Sequence, residues 1–165
     1  VYLLDLPPFL DLVGGGAGPV RTWSEKIPRQ RIYVSSLAFA LAEHIIESEP
    51  LGSRSVWLPR LDKAKSEFEA RTFDFEVRDA EVWAKDVMPL ELTGTEDQTG
   101  TDGREGYFGR DQAAHLIMEQ ALRRMIVAQA LGRRYILVTK AGPYHDRLKV
   151  RKRLEWLDPY QEGGG

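Results

Sequence analysis

The 165-residue chain predicts an α/β fold, a three-layer α/β/α sandwich around a central, mostly parallel sheet. Short apolar, β-branched runs alternate with segments of helical periodicity, which is the pattern of strand-helix-strand units. Within those runs consecutive residues are apolar, as in strands covered on both faces. An apolar content of 42% is enough for one continuous core without staples. One domain over residues 1–161 is expected, with 162–165 a disordered tail.

Val1-Tyr2-Leu3-Leu4-Asp5 reads as a first strand with an acid at its C-terminal end, the edge where open α/β sheets place ligands. Pro7 and Pro8 stop the strand, Phe9 to Val13 form one apolar turn, and residues 14–19 form a glycine-rich loop. Gly14-Gly15-Gly16 lacks the Lys-Ser or Lys-Thr of a phosphate loop. Val20 to Lys26 reads as a short helix and Arg31 to Ser35 as a second strand. Ser35 or Ser36 caps a helix to about Glu47, with Leu37, Leu41, Ile45, Ala38 and Ala42 facing inward. Ser53 to Pro59 carries no clear pattern, whereas Arg60 to Glu69 reads as a charged helix with Leu61, Ala64 and Phe68 facing inward.

After the brief apolar segment Phe73-Asp74-Phe75, a helix from Glu76 to Met88 is expected to bury Val77, Ala80, Trp83, Ala84 and Val87. Residues 93–109 are polar, acidic and glycine-rich, and are read as a mobile surface loop. Glu96, Asp97, Asp102 and Glu105 lack the ligand spacing of a calcium-binding hand. Asp111 is expected to cap a long helix to Leu131, with Gly132 as its stop. Tyr135 to Thr139 reads as a strand, and after a loop around Gly142-Pro143 the segment Leu154 to Asp158 reads as a last strand ended by Pro159.

Composition removes several functions. With no cysteine there is no disulfide framework, thiolate metal site or cysteine nucleophile. No apolar run approaches the roughly 18 residues of a membrane span, and no leader pattern opens the chain, so a cytoplasmic protein is expected. The net charge of −2 gives no global attraction to nucleic acid. Local basic patches remain, in Arg147 to Arg153 (with Arg151 and Lys152), Arg123-Arg124 and Arg133-Arg134. His44, His115 and His145 offer no paired metal spacing, His145 beside Asp146 reads as a surface histidine, and no serine sits in a nucleophile elbow. The scattered Trp23, Trp57, Trp83 and Trp156 suit packing better than base stacking.

Taken in order, several blocks resemble those of bacterial PIN-domain ribonucleases, the toxin halves of VapBC modules. Tyr2-Leu3-Leu4-Asp5 resembles the opening strand with its first metal-binding acid, and Ile32-Tyr33-Val34-Ser35 with its Ala- and Leu-rich helix resembles the second block. Asp79-Ala80-Glu81-Val82-Trp83-Ala84 is similar to the middle helix. Met125 to Gly132 followed by Ile136-Leu137-Val138-Thr139 resembles the family's most recognisable stretch, and Leu157-Asp158-Pro159-Tyr160-Gln161 its ending. The resemblance implies three or four carboxylates around Mg²⁺ or Mn²⁺, which activates water for RNA cleavage. It also implies a homodimer and an antitoxin-like partner.

Only Asp5 stands where the family pattern has an acid. Seven residues after Val34 the family's glutamate is Leu41, and Glu43, two positions on, is rotated by about 200° around the helix. Sixteen residues before Thr139 the helix-borne aspartate becomes Arg123, and the loop acid is displaced to Asp146. Two partners are within reach of Arg123: Asp5, in which case the guanidinium stands in the place of the metal, or Glu119 one turn earlier. The expectation is therefore a non-catalytic or weakly active RNA- or protein-binding module with no cofactor. Asp5, Glu43 and Asp146 are its remnant acids, Asp5 its one metal-type ligand, and Arg123, Arg124, Arg151 and Lys152 its binding residues. The alternative is an active Mg²⁺- or Mn²⁺-dependent endoribonuclease using Asp5 with Glu43, Glu119 or Asp146.

Overall fold

A computed structural model of the chain describes residues 1–91 and 110–161. The expected acidic loop and the C-terminal tail fall outside these residues. Five short strands, β1 (Tyr2–Leu4), β2 (Ile32–Ser35), β3 (Thr72–Phe73), β4 (Ile136–Val138) and β5 (Trp156–Leu157), form one sheet in the order β3-β2-β1-β4-β5. Every pairing is parallel; Leu3, for instance, lies between Tyr33 and Leu137. Leu3 and Leu4 point to opposite faces, as do Leu137 and Val138, and all four are fully buried. Helices therefore cover both faces, as expected for the α/β class.

From central β1 the chain steps outward to β2 and β3, then crosses back to β4 and β5 on the other side. Connections thus leave β1 and β4 in opposite directions. The C-terminal ends of these two strands form the switch point where open sheets hold ligands.

Helix α1 (Leu6–Gly14) starts immediately after β1, with Asp5 as its N-cap. Pro7 and Pro8 do stop the strand, but they also open a full helix rather than a single turn, because the first helical N–H groups have no partner to lose. Gly15, at φ 71°, ends it in the left-handed region. Helix α2 (Pro19–Glu25) is followed by β2 and α3 (Ser36–Ser48), which Ser35 caps through a 3.1 Å bond from Leu37 N.

Helix α4 (Leu51–Phe68) starts about two and a half turns earlier than the sequence pattern suggested, and it runs through Pro59. Leu61, Ala64 and Phe68 are its buried face, as expected. Helix α5 (Val77–Val82) passes through a π-helical turn (Trp83–Val87) into α6 (Met88–Glu91). The expected apolar stripe is only partly realised. Val87 is buried, Ala80 and Trp83 are half-buried, and Val77 and Ala84 are exposed. The wider turn breaks the 3.6-residue period, and the position most deeply buried on α5 is Asp79.

Helix α7 is described from Arg110, so Asp111 lies inside it rather than capping it, and it continues through Gly132 to Arg133. Its stop is Arg134, at φ 56°, with Tyr135 N bonded to Ala130 O at 2.9 Å and Arg134 N to Leu131 O at 3.3 Å. That is the double-bonded left-handed helix end, with arginine in place of glycine. Gly132 has another role, since a Cβ there would come within 3.2 Å of the Val82 side chain on α5, a tight contact. The basic segment after Gly142-Pro143 is helix α8 (Pro143–Lys152), not a loop, with Pro143 in its first turn and Leu148 fully buried. No helix among the described residues is long and apolar enough to cross a membrane.

Candidate functional site

Asp5 ends β1 and caps α1, so two elements fix its carboxylate at the switch point. It is buried to 1% exposure. Oδ1 accepts from Leu6 N at 2.8 Å, and Oδ2 accepts from the Thr139 hydroxyl at 2.7 Å, just beyond β4. From α7, Arg123 completes the set: Nη2 donates to Oδ2 at 2.9 Å and Nε to Oδ1 at 3.4 Å. Of the two partners open to Arg123 in the sequence, the side chain bonds Asp5. Glu119 acts only through space, helping to raise the Arg123 pKa after the larger effect of Asp5 itself.

Burial alone would push the Asp5 carboxyl up. The charge and hydrogen bonds of Arg123, with the Thr139 and Leu6 donors, outweigh that and hold it below the usual carboxylate range. The carboxylate is thus ionised, and both of its oxygens are engaged.

The other residues singled out in the sequence are arranged around this pair unevenly. Glu43 reaches from α3 to Lys65 on α4 at 2.9 Å and is about half exposed. Asp146 is exposed in the first turn of α8 and is not bonded to Asp5 or Arg123. The three remnant acids are therefore not joined into one ligand set. Arg124 lies over the Tyr144 ring at 5.4 Å. Lys152 pairs with Asp86 at 2.7 Å, at the far end of α8 from His145, and Arg151 beside it is exposed.

Sequence reasoning passed over several neighbours of the pair. His145 is buried rather than on the surface, at the start of α8, where its Nδ1 accepts from Gly142 N at 3.2 Å. Burial drives its pKa down, and Arg123 adds to this against the opposing charge of Asp5. Tyr160 donates to Asp11 at 2.6 Å; its pKa is raised first by burial and then by Asp11. Asp158 is buried after β5 and is occupied by the Ala141 and Tyr160 backbone N–H groups at 3.0 and 2.9 Å. The available signal was position: Thr139 and Asp158, like Asp5, directly follow strands.

A second buried carboxylate repeats the arrangement. Asp79 accepts from Arg133 at 2.9 and 3.4 Å, from the same helix that supplies Arg123, and bonds Glu76 N at 3.0 Å. Arg133 also bonds Asp74 O and stacks over Phe73 at 4.8 Å, which makes this pair a brace between α5, β3 and α7.

No family model matches the chain, and no curated protein matches it by sequence. Solved structures match it in fold. FitAcB from Neisseria gonorrhoeae gives a TM-score of 0.68 at 14% identity, covering 97% of this chain and 99% of that one. DNA-bound VapBC from Salmonella typhimurium gives 0.66 at 15% identity, covering 96% and 97%. VapBC2 from Rickettsia felis, bound to a DNA fragment from their promoter, gives 0.63 at 15% identity, covering 95% and 97%. The architecture is PIN-like, of the kind found in these VapC-type structures.

Proposed function

We propose that the protein is a PIN-like module that acts by binding, to RNA or to an antitoxin-like protein, and that its metal-dependent ribonuclease chemistry is lost or nearly so. The observation that carries this reading is the two-pronged Arg123–Asp5 pair at the switch point.

A divalent ion needs several hard oxygen ligands with free lone pairs facing one point. Asp5 offers one carboxylate, and a guanidinium, a hydroxyl and a backbone N–H already occupy it. Among the described residues no group of three or more His, Asp or Glu side chains could hold a metal ion. A cation brought to Asp5 would also have to displace the fixed positive charge of Arg123. These residues do not fit Mg²⁺ or Mn²⁺, and no hydrolytic step is assigned to them.

By extension from the VapBC and FitAcB complexes, the module works with a second protein of the antitoxin kind, and the homodimer and cytoplasmic setting expected from the sequence belong to the same proposal. The test is incubation of purified protein with structured RNA and Mn²⁺. Intact RNA, with no difference between wild type and Asp5→Ala, is expected. Cleavage that disappears in Asp5→Ala would contradict the reading.

A further inference from the structure

The sheet edge opposite Asp5 is lined with arginines. Every strand after β1 has one just before it: Arg31 before β2, Arg71 before β3, Arg134 two residues before β4 and Arg153 three before β5. Arg31, Arg134 and Arg153 are exposed. Neighbouring strands lie about 4.8 Å apart, so the sheet sets these cations along one line.

On the β2–β3 side this edge opens into a cleft of about 600 Å³ between α1, α2 and α4, within the size range of ligand sites. Arg21, Arg29, Arg60, Lys63 and Arg71 line it, against Glu25 and Glu67. Glu25 is paired with Arg21 at 3.0 Å, and Glu67 faces Lys63 at 3.8 Å. Among the described residues Arg29, Arg60 and Arg71 have no ion pair with a carboxylate.

What holds two of them is backbone. Arg60 donates to Gly14 O at 2.6 Å. Arg71 donates to the carbonyls of Arg29, Ile32 and Glu67 at 2.8, 3.0 and 2.6 Å, and lies 4.2 Å over the Phe68 ring. Carbonyls fix the direction of a guanidinium without cancelling its charge. The Arg71 pKa is lowered, by burial first and by the charge of Arg29 second, against the smaller opposing charge of Glu67. A fixed cluster of this kind, with more cations than acids, is preorganised for phosphate oxygens. A line of cations leading from it suits a chain of phosphates better than a single anion.

We propose that this cleft and the arginine row beside it hold the phosphate backbone of single-stranded RNA, on the side of the sheet away from Asp5. The proposal rests on the RNA-binding form of the function above. It is tested by fluorescence anisotropy with a labelled single-stranded RNA across a salt series, without metal. The proteins compared are wild type, Arg29→Glu with Arg60→Glu, and as controls Arg78→Glu on α5 and Lys85→Glu in the π-helical turn, both exposed and outside the cleft. Circular dichroism checks folding, and the milder Arg29→Gln replaces the double variant if that fails to fold.

The cleft variant is expected to weaken binding roughly tenfold or more and to flatten the log–log salt slope by about 1.4, the share of two phosphate contacts on a single strand. Arg29→Gln moves both in the same direction by less, and the controls stay near wild type. Equal affinity of wild type and cleft variants, or no binding by wild type, overturns the proposal. So does full competition by free ATP with no dependence on RNA length. Metal-dependent cleavage that needs Asp5 would contradict the non-catalytic reading while leaving the cleft assignment standing, so the two fail separately.

Discussion

Arg123 and Asp5 are unequal partners. Asp5 is buried to 1% exposure, whereas the Arg123 side chain keeps 28%. Removing the arginine therefore leaves a carboxylate without a counter-ion in a dry site, while removing the aspartate leaves a cation that can turn toward water. Arg123→Met is expected to cost roughly 3–4 kcal/mol at neutral pH, the lower part of the range for a broken buried pair because water reaches one side.

Its pH dependence gives the sharper reading. In the wild type the Asp5 pKa in the folded state lies below its unfolded value, so the stabilisation is complete above about pH 4 and fades as pH falls further. In Arg123→Met the largest opposition to burial is gone and only the Thr139 and Leu6 donors are left against it. The folded pKa is therefore expected to rise above the unfolded one, and stability to increase on mild acidification. Urea denaturation of both proteins from pH 7 to pH 5 should show the variant gaining on the wild type. A difference that stays constant over that range would contradict the assignment. Both members of this pair were legible in the sequence, because the strand-end acid and the arginine sixteen residues before Thr139 fall at recognisable positions. Thr139 as a donor, and His145 as a buried neighbour, were not, since neither hydroxyl bonding nor burial in a short helix leaves a periodic trace.

At the scale of elements, α7 is the organising helix. Its Arg123 fixes β1, its Arg133 fixes α5, and its end at Arg134 sets the entry into β4. A non-glycine residue in the left-handed region costs on the order of 1 kcal/mol. Arg134→Gly is accordingly expected to stabilise the fold by about 0.5–1 kcal/mol, read as a rise of about 1–4 °C in melting temperature. A fall would mean that the Arg134 side chain makes a contribution larger than its backbone cost. The sequence pointed to Gly132 as the stop because glycine is the common residue there. The actual role of Gly132, letting α7 approach Val82, depends on a neighbouring helix and so is invisible locally. The stripe predicted for residues 77–87 failed for a similar reason: a π-helical turn changes the period, and the buried Asp79 is paid for by Arg133, far along the chain. Helix α8 escaped notice because, among its described side chains, Leu148 is the one fully buried apolar residue, too little for a helical pattern.

The whole molecule keeps the arrangement of an open parallel sheet, with a switch point between β1 and β4 and a shaped polar site there. The fold class was legible because strands buried on both faces leave unbroken apolar runs, and their alternation with helices leaves few other topologies. What is unusual is the distribution of charge. At the C-terminal edge the central acid is matched internally by a cation, while the N-terminal edge carries arginines held by carbonyls. The first edge thus offers little to a metal, and the second offers charge to an anion.

The central claim is that Arg123 takes the place a divalent ion would need at Asp5. Isothermal titration of the wild-type protein with Mn²⁺ tests it most directly. No saturable heat is expected, with traces for wild type and Asp5→Ala superimposing. Saturable binding in the wild type that Asp5→Ala abolishes would contradict it.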